Sequence, residues 1–127
     1  MSIQIPDGLL FTKTHEWIKQ DSDDIVKVGI TSYAAEQLGD VVFVELPEVG
    51  DEVTAESDCC VIESVKAAAD IYAPVDGEIV EINSELESSP DLINKNSFED
   101  GWLFKIKLSN KSQLENLLEK SEYEDTM

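Results

Sequence analysis

Short runs of β-branched and aromatic residues, most of them bounded at one end by Pro or Gly, constrain this chain of 127 residues most strongly. Proline fixes φ and glycine supplies tight reversals, so such runs favour short strands joined by turns. In Gly101–Leu108, Trp102 and further apolar residues alternate with Lys105 and Lys107, which indicates one buried face. The chain is therefore expected to be mainly β, with strands at Asp40–Leu46, Cys59–Val65, Asp70–Val75, Gly77–Asn83 and Gly101–Leu108.

The pattern Pro-x-x-Gly-acid-x-Val occurs at Pro47–Val53 and again at Pro74–Val80. Each copy is expected to form a turn that leads into a strand. If the repetition reflects two similar β-units packed together, the chain folds as a small β-sandwich or flattened barrel. Lys66 then lies in the hairpin between the two turns.

Two helices are predicted. The first, Thr31–Gly39, opens with Thr and Ser, which cap helices, and closes on a Gly suited to a left-handed stop. The second is a C-terminal helix over residues 112–122. It is predicted because Ser112 and Glu115 form a capping box ahead of a stripe of leucines.

The length and composition suit one globular domain of modest size. An apolar content of 42% is ordinary for a packed chain, so disorder is not expected. We expect a single domain over residues 1–127, with its core at about 10–108 and a frayed tail at 123–127. No apolar run approaches the roughly 20 residues that a membrane helix needs, so no membrane association is expected.

The charge of the chain is strongly acidic. A formal net charge of −19, with nine lysines and no arginine, opposes nucleic-acid binding, which needs cations against phosphates. It favours docking to basic protein surfaces in a salt-dependent way. Acidic clusters at 21–24 and 85–87 lack the spacing of a calcium loop and are interpreted as solvated loops, so no metal site is expected.

The cysteines and the N-terminus bear on the compartment. Cys59 and Cys60 are adjacent, and neighbouring cysteines rarely bridge because the geometry strains the backbone. A disulfide framework is excluded and a reducing cytosol is favoured. Residues 1–10 lack the basic region of a secretory signal. A bacterial cytoplasm is the expected location, with the mitochondrial matrix as the alternative for a processed eukaryotic chain.

Lys66 is the residue whose surroundings need a chemical explanation. It stands in ESVKAAAD, Glu63–Asp70, at the reversal between two predicted strands, where alanines leave the tip open. An enzyme could reach an amine held outward there, and acylation would remove its charge. Spacing and sterics alone leave two interpretations open: an attachment point, or a solubilising lysine on a tight turn.

From Leu10 to Leu108 the chain resembles the H-protein family of the glycine cleavage system. The similar segments are FTKTHEW, VGITSYAAEQLGDVVFVELPEVGDEV, VIESVKAAADIYAPVDGEIVEIN and GWLFKIK. Within them, ESVKA is similar to the family's lipoyl-attachment signature. The resemblance implies a barrel-sandwich hybrid of short strands, as in lipoyl and biotinyl carriers, with a short internal helix and a C-terminal helix. It also implies that Lys66 carries lipoate in amide linkage.

The role that the resemblance implies is that of a lipoyl carrier without catalysis of its own. Lipoyl-Lys66 would take the aminomethyl group of glycine from glycine decarboxylase to the aminomethyltransferase. Dihydrolipoamide dehydrogenase would then reoxidise it. A lipoate-attaching enzyme is a fourth expected partner, and the carrier is expected to be a monomer. This division of labour suits a cofactor that supplies the chemistry while the protein positions it.

Four side chains near these motifs have competing interpretations. Cys59 and Cys60 depart from the family pattern and are interpreted as small, mostly buried strand residues; the alternative is that one thiol exchanges with the lipoyl dithiol. His15, the only histidine, lacks a catalytic or metal partner in the sequence and is interpreted as a hydrogen-bonding residue. The resemblance implies a cleft for the loaded arm near Glu16, whose carboxylate would pair with the arm's cationic amine.

Other functions stay open on the residues alone. A biotinyl or other acyl carrier shares the hairpin lysine, although Val65 and Ala67 stand where methionines usually flank a biotinyl lysine. An unmodified binding module would keep the barrel without the cofactor. A cysteine enzyme using Cys59 or Cys60 ranks last, because the one histidine is distant in sequence and arginine is absent.

Overall fold

A computed structural model of the protein describes residues 8–126, so residues 1–7 of the interpreted N-terminal stretch and residue 127 lie outside it. The described strands are β1 (Leu10–Phe11), β2 (Glu16–Gln20), β3 (Ile25–Ile30), β4 (Val41–Glu45), β5 (Glu52–Val53), β6 (Asp58–Ser64), β7 (Ala68–Tyr72), β8 (Gly77–Ile82) and β9 (Phe104–Leu108). The helices are α1 (Ser32–Leu38), α2 (Leu92–Lys95) and α3 (Lys120–Thr126), with 3₁₀ turns at Ser84–Glu87 and Lys111–Asn116. Within this range, every helix is too short or too polar to cross a membrane.

The strands form two antiparallel sheets that share one core. The larger sheet has the order β1-β2-β3-β9-β8-β5, and the smaller sheet has the order β4-β6-β7. Ile62 and Ile71 of the smaller sheet belong to the same buried cluster as Ile79, Phe104 and Ile106 of the larger one. Burying both inner faces against each other removes the apolar side chains from water, which is the main stabilising term. The predicted mainly β, barrel-sandwich class is confirmed.

The repeated turn pattern leads into two short strands that pair with each other. Glu52 of β5 lies opposite Glu78 of β8, and Val53 lies opposite Gly77. The two glycines have different roles. Gly50 adopts a φ of 100°, whereas a Cβ on Gly77 would lie 2.2 Å from a backbone carbonyl oxygen of β9. The prediction that each copy of the pattern forms a turn leading into a strand is confirmed.

Strand β9 carries the predicted alternation, but Trp102 does not share its buried face. The strand begins at Phe104, and the ammonium groups of Lys27 and Lys105 each lie 5.5 Å from the centroid of the Trp102 ring. The ring packs, partly buried, against a second apolar cluster (Leu9, Phe11, Trp17 and Tyr123) that is separate from the core between the sheets, and the nearby cations stabilise it there. The prediction that Trp102 joins the core stripe is therefore wrong.

The internal helix follows the prediction closely. The hydroxyl of Thr31 accepts a hydrogen bond from the backbone N–H of Ala34, as an N-cap does. At the other end Gly39 has φ 82° and ψ −157°, and its N–H donates to the carbonyl of Ala35. Only glycine adopts this conformation without strain, so the helix ends there.

The C-terminal region departs from the predicted helix over 112–122. A 3₁₀ turn covers Lys111–Asn116 with Asn110 as its cap, and the chain is extended at Leu117 before α3 begins at Lys120. The reason is tertiary. Leu118 exchanges two backbone hydrogen bonds of 2.8 Å with Phe11, and this bridge requires extended backbone. The capping box at Ser112 therefore does not start an α-helix.

The predicted frayed tail at 123–127 is also wrong over its described part, 123–126. Tyr123 is fully buried and stacks on Phe11 with ring centroids 4.6 Å apart. Its hydroxyl lies 2.6 Å from Nδ1 of His15 and 2.9 Å from Oγ1 of Thr31. One phenol thus joins the C-terminal helix to the start of β2 and to the cap of α1.

Replacing Tyr123 by Phe should lower the free energy of unfolding by about 1–3 kcal/mol, since His15 and Thr31 would lose a buried hydrogen-bond partner. Urea denaturation followed by circular dichroism measures this change. Asp125→Asn, an exposed change on the same helix, should stay within about 0.5 kcal/mol of wild type. Equal stabilities for Tyr123→Phe and wild type would show that the phenol does not anchor the tail.

Candidate functional site

Lys66 lies at the reversal between β6 and β7. Glu63 pairs with Ala68 at the end of the ladder, and Val65, Lys66 and Ala67 form the turn beyond it. Lys66 is exposed, and within residues 8–126 it makes no ion pair. The predicted position of Lys66 at a hairpin tip is confirmed.

The hydroxyl of Ser64 organises the backbone of this tip. It accepts hydrogen bonds from the N–H of Lys66 at 3.3 Å and from the N–H of Ala67 at 3.1 Å. It also lies 3.2 Å from the carbonyl oxygen of Ala67, which accepts a 2.8 Å bond from the N–H of Ser64 itself. A serine side chain that satisfies turn N–H groups in this way limits the conformations of the tip.

The tip is fastened to the rest of the protein through the link between α1 and β4. The N–H of Val65 donates to the carbonyl of Asp40 at 3.0 Å. On either side of Asp40, the amide of Asn94 bonds the carbonyl of Gly39 and the N–H of Val41, both at 2.8 Å. Asn94 of α2 therefore holds the segment on which the hairpin rests.

The stem of Lys66 runs across Gly39. A Cβ built on Gly39 would lie 3.2 Å from Cε of Lys66 and 3.9 Å from its Nζ. The amine therefore stands close to the C-terminus of α1, where the helix dipole favours a cation. The absence of a side chain at 39 leaves the stem room.

A cleft of about 640 Å³ opens at the far end of β7 from the hairpin tip. Tyr72, the last residue of β7, lines it, and Tyr72 lies about 13 Å along the strand from Ala68, at about 3.3 Å per residue. Leu117 and Leu118 of the C-terminal segment also line the cleft. Glu16 contributes the buried carboxylate of the cleft.

Glu16 is a buried acid with a free oxygen. Its side chain is 1% exposed, and its Oε1 accepts hydrogen bonds from the hydroxyls of Thr12 and Thr14, the latter at 2.5 Å. Within the described part of the chain, Oε2 has no hydrogen-bond partner. Burial raises the pKa of Glu16, and interactions with the hydroxyls of Thr12 and Thr14 and with the backbone at Tyr72 and Glu16 offset only part of that rise. A buried carboxylate with one unused oxygen is suited to receive a cation.

Cys59 and Cys60 are free strand residues of β6, and the interpretation as small packed side chains is confirmed. Cys60 is buried, whereas Cys59 is half-buried beside an irregularity in the β6–β7 register. Burial, followed by the negative charges of Glu16 and Asp58, raises the pKa of the Cys59 thiol to about 12. Burial also raises the pKa of Cys60. Because the thiolate is the nucleophile, these thiols are poorly suited to exchange or catalysis.

His15 has a structural hydrogen-bonding role, as predicted. Its Nδ1 bonds Tyr123, its ring contacts Tyr33 and its carbonyl accepts from Thr31. Burial lowers the pKa of His15, which favours the neutral ring in these contacts. Among residues 8–126 there is no group of three or more acidic, His or Cys side chains placed to hold a metal ion.

Comparison with known proteins decides the family. The family model described as glycine cleavage H-protein matches residues 9–127. A glycine cleavage system H protein of Pseudoalteromonas translucida is 57% identical over 123 residues, which cover 97% of this chain and 95% of the relative. The H protein of Salmonella arizonae is 56% identical over 120 residues, covering 94% of this chain and 93% of the relative. The chain belongs to the glycine cleavage H-protein family.

A solved structure agrees with this membership. The crystal structure of a glycine cleavage system H protein from Mycobacterium marinum has a TM-score of 0.86 and 40% sequence identity to this chain. The match covers 95% of this chain and 97% of the other. The H-protein family supplies the lipoyl carriers of the glycine cleavage system, so the resemblance of the sequence segments is confirmed.

The sequence predicts the place of Lys66 on its hairpin but not the residues that hold it there. Ser64 had a local signal, because a serine two and three residues before turn N–H groups forms a recognisable motif. Gly39 was predicted only as a helix stop, and its contact with Lys66 was not foreseen. Asn94 had no local signal, since it lies 55 positions from the carbonyl that it bonds.

Replacing Gly39 by Ala should lower the free energy of unfolding by about 1–3 kcal/mol, because a Cβ makes φ 82°, ψ −157° a strained conformation. The new methyl group should also displace the stem of Lys66 and shift its Cε resonance in a carbon NMR spectrum. Gly50→Ala is the matched control, since Gly50 has a φ of 100° but open space around its Cβ position. Gly50→Ala should cost stability without moving the Lys66 resonance. An unmoved resonance in Gly39→Ala would contradict the contact.

Proposed function

We propose that Lys66 is the lipoate attachment site and that the protein acts as a non-catalytic carrier in the glycine cleavage system. The observation that carries this proposal is the exposed amine of Lys66 on a hairpin tip held by Ser64 and Asp40. The residues present fit an amide-linked arm, because Val65 and Ala67 are short, and no ion pair among residues 8–126 occupies the amine.

Bound lipoate would supply a redox-active disulfide at the end of a long arm. The protein's contribution is positional. Ser64 orders the turn, Asp40 ties the turn to β4, and Gly39 leaves space for the stem of Lys66. Family membership implies the other enzymes of the glycine cleavage system as partners.

Family membership and the exposed position of Lys66 also support specific partners. We propose that glycine decarboxylase, the aminomethyltransferase, dihydrolipoamide dehydrogenase and a lipoate-attaching enzyme each meet a monomeric carrier. A bacterial cytoplasm suits the bacterial source of the relatives and the unbridged cysteines Cys59 and Cys60.

We further propose that Glu16 is the counter-ion for a cationic amine that enters the cleft at the end of the arm. Three observations support this role: the burial of the side chain, the Oε2 atom without a hydrogen-bond partner among residues 8–126, and the open cleft at the end of β7. Thr12 and Thr14 hold the other oxygen, so the carboxylate is oriented before an amine arrives.

The attachment proposal is tested by intact mass spectrometry and peptide mapping after expression with lipoate. Wild type should gain the mass of one lipoyl group on the Lys66 peptide, and Lys66→Arg should gain none because a guanidinium is not acylated. Lys111→Arg, an exposed lysine elsewhere, should be modified like wild type. A biotinyl mass on Lys66 would favour the alternative carrier, and lipoate on another lysine would contradict the proposal.

The pH dependence of stability tests the state of Glu16. The pKa of Glu16 is higher in the native state than in the unfolded state. Its contribution to the free energy of unfolding is therefore fully present below the unfolded-state pKa and is lost as the pH rises through the native-state pKa. Glutamine does not ionise, so Glu16→Gln avoids this loss. As the pH is raised from 4 to 7, the free energy of unfolding of the variant should increase relative to that of wild type. Urea unfolding at both pH values measures it, with the exposed Glu36→Gln as control.

The same Glu16→Gln variant tests pairing with the amine. The amine-loaded form of the variant should release its group faster than loaded wild type, because the cation loses its counter-ion. This rate is measured by the appearance of free ammonia. An unchanged rate would reject the pairing even if the pH dependence of stability is as expected.

A further inference from the structure

Large apolar side chains are exposed at four described positions, and three of these lie beside Lys66. Val42 is 54% exposed, Phe43 is 50% exposed and Val65 is 69% exposed. The fourth, Val49, lies beyond the opposite end of β4 from the hairpin and is 61% exposed. A cluster of exposed apolar side chains marks an interaction surface more reliably than single ones do.

Backbone contacts hold the three side chains in one place, named here the tip patch (Val42, Phe43 and Val65). Strand β4 is an edge of the smaller sheet and pairs with β6, with an irregularity between Val41 and Phe43 that leaves Val42 as an extra residue. Such an irregularity re-aims a side chain that would otherwise follow the alternation. Val65 is held against the start of β4 by its hydrogen bond to Asp40.

The outer face of the smaller sheet surrounds the tip patch with negative charge. Phe43 lies opposite Glu63, and one step along the same face Glu45 lies opposite Val61, which pairs with Asp70. Glu45, Glu63 and Asp70 are exposed, and Asp40 is exposed at the start of β4. Lys66 places one positive charge beside these carboxylates, and acylation would remove it. The complementary surface is therefore an apolar contact ringed by lysine or arginine.

We propose that the tip patch is the docking surface for the enzyme that acylates Lys66, and that this enzyme meets it with an apolar contact ringed by basic side chains. The inference rests on the proposed acylation of Lys66. An unmodified lysine carries its amine on a short aliphatic stem. An enzyme that acts on this amine must approach the hairpin backbone closely, and so must cover Val65 and the adjacent β4.

Enzymes that act on the far end of a completed arm do not face this constraint. Their reacting atoms lie beyond the lysine, so their contacts need not include the edge of β4. Replacing Phe43 should therefore lower kcat/KM strongly for the enzyme that attaches the arm and only weakly for the enzymes that act later.

The attachment step has a simple balance. From its ammonium form, the nitrogen of Lys66 releases two protons and forms a C–N bond to the carbonyl carbon of an acyl adenylate. The bond between that carbon and the phosphate oxygen breaks, and AMP leaves. The acyl adenylate forms from ATP and the free acid, whose carboxylate oxygen bonds to the α-phosphorus as pyrophosphate leaves. No net electron transfer occurs in either step.

The test measures lipoylation of the apo protein by a purified lipoate–protein ligase with ATP and lipoate. Phe43→Ser and Val42→Ser should each lower kcat/KM at least about tenfold, mainly through KM, as truncation of a central interface residue does. The matched control Val49→Ser should stay within about twofold of wild type. Circular dichroism confirms that the variants are folded.

Charge variants test the ring of basic side chains. Glu63→Gln should raise KM at low salt, and the difference from wild type should shrink as salt increases. Glu52→Gln, an exposed acid on β5, is the control and should behave like wild type. Equal salt responses of these two variants would overturn the proposed electrostatic match.

The outcomes separate this inference from the proposed function. If wild type is not acylated at Lys66, the proposed function fails. If wild type is acylated but Phe43→Ser and Val49→Ser are modified equally fast, only the docking surface is rejected. Lipoylated Phe43→Ser, prepared with excess ligase, should be turned over by dihydrolipoamide dehydrogenase within about twofold of wild type. An equal loss in both reactions would reject the assignment to the acylating enzyme.

Discussion

The hydroxyl of Ser64 is the contact on which the geometry of the site depends most. It satisfies two N–H groups of a turn that would otherwise face solvent, and so it ties the backbone of Lys66 to the last residue of β6. The bond from Val65 to Asp40 then fixes this turn to a second element. A lysine side chain is flexible, so its place in space is set almost entirely by the backbone that carries it. A carrier presents a defined attachment point only if that backbone is rigid.

The cleft at Glu16 depends on a different part of the chain. Its wall includes Leu118, which is held by paired backbone hydrogen bonds to Phe11, while Tyr123 stacks on the same Phe11 from α3. The C-terminal segment thus closes a cavity around an acid near the N-terminus. Burial of Glu16 has an electrostatic cost, because its charge is removed from water with one oxygen unpaired. Such a cost at a cleft is typical of functional groups rather than of packing.

Charge and apolar exposure act together around Lys66. The chain carries a net charge of −19, yet the tip patch places three apolar side chains among its carboxylates. Long-range attraction to a basic partner speeds encounter, while apolar contact at the centre supplies most of the affinity. The two features meet on the face that holds the hairpin tip, so a partner that binds this face is brought to Lys66.

The sequence by itself determined the parts of the fold that short-range interactions decide. Thr31 and Gly39 bound α1, alternation defines β9, and the ESVKA turn places Lys66 at a hairpin tip, because each depends on hydrogen bonds or side-chain period within a few residues. The strong family similarity added the lipoyl role to this local frame.

Only the tertiary structure decided the C-terminus, the burial of Glu16 and the state of the thiols. Leu118 lies in extended backbone that forms a β-bridge with Phe11 instead of a helix, and Tyr123 is hydrogen-bonded to His15, 108 positions away in the sequence. Contacts between such distant residues leave no periodic pattern in either segment. These tertiary contacts contribute more free energy than the local preference for a helix that begins at the capping box. The burial of Glu16 and the pKa shifts of Glu16 and of the two thiols also depend on side chains that are distant in sequence, so the local sequence did not give them.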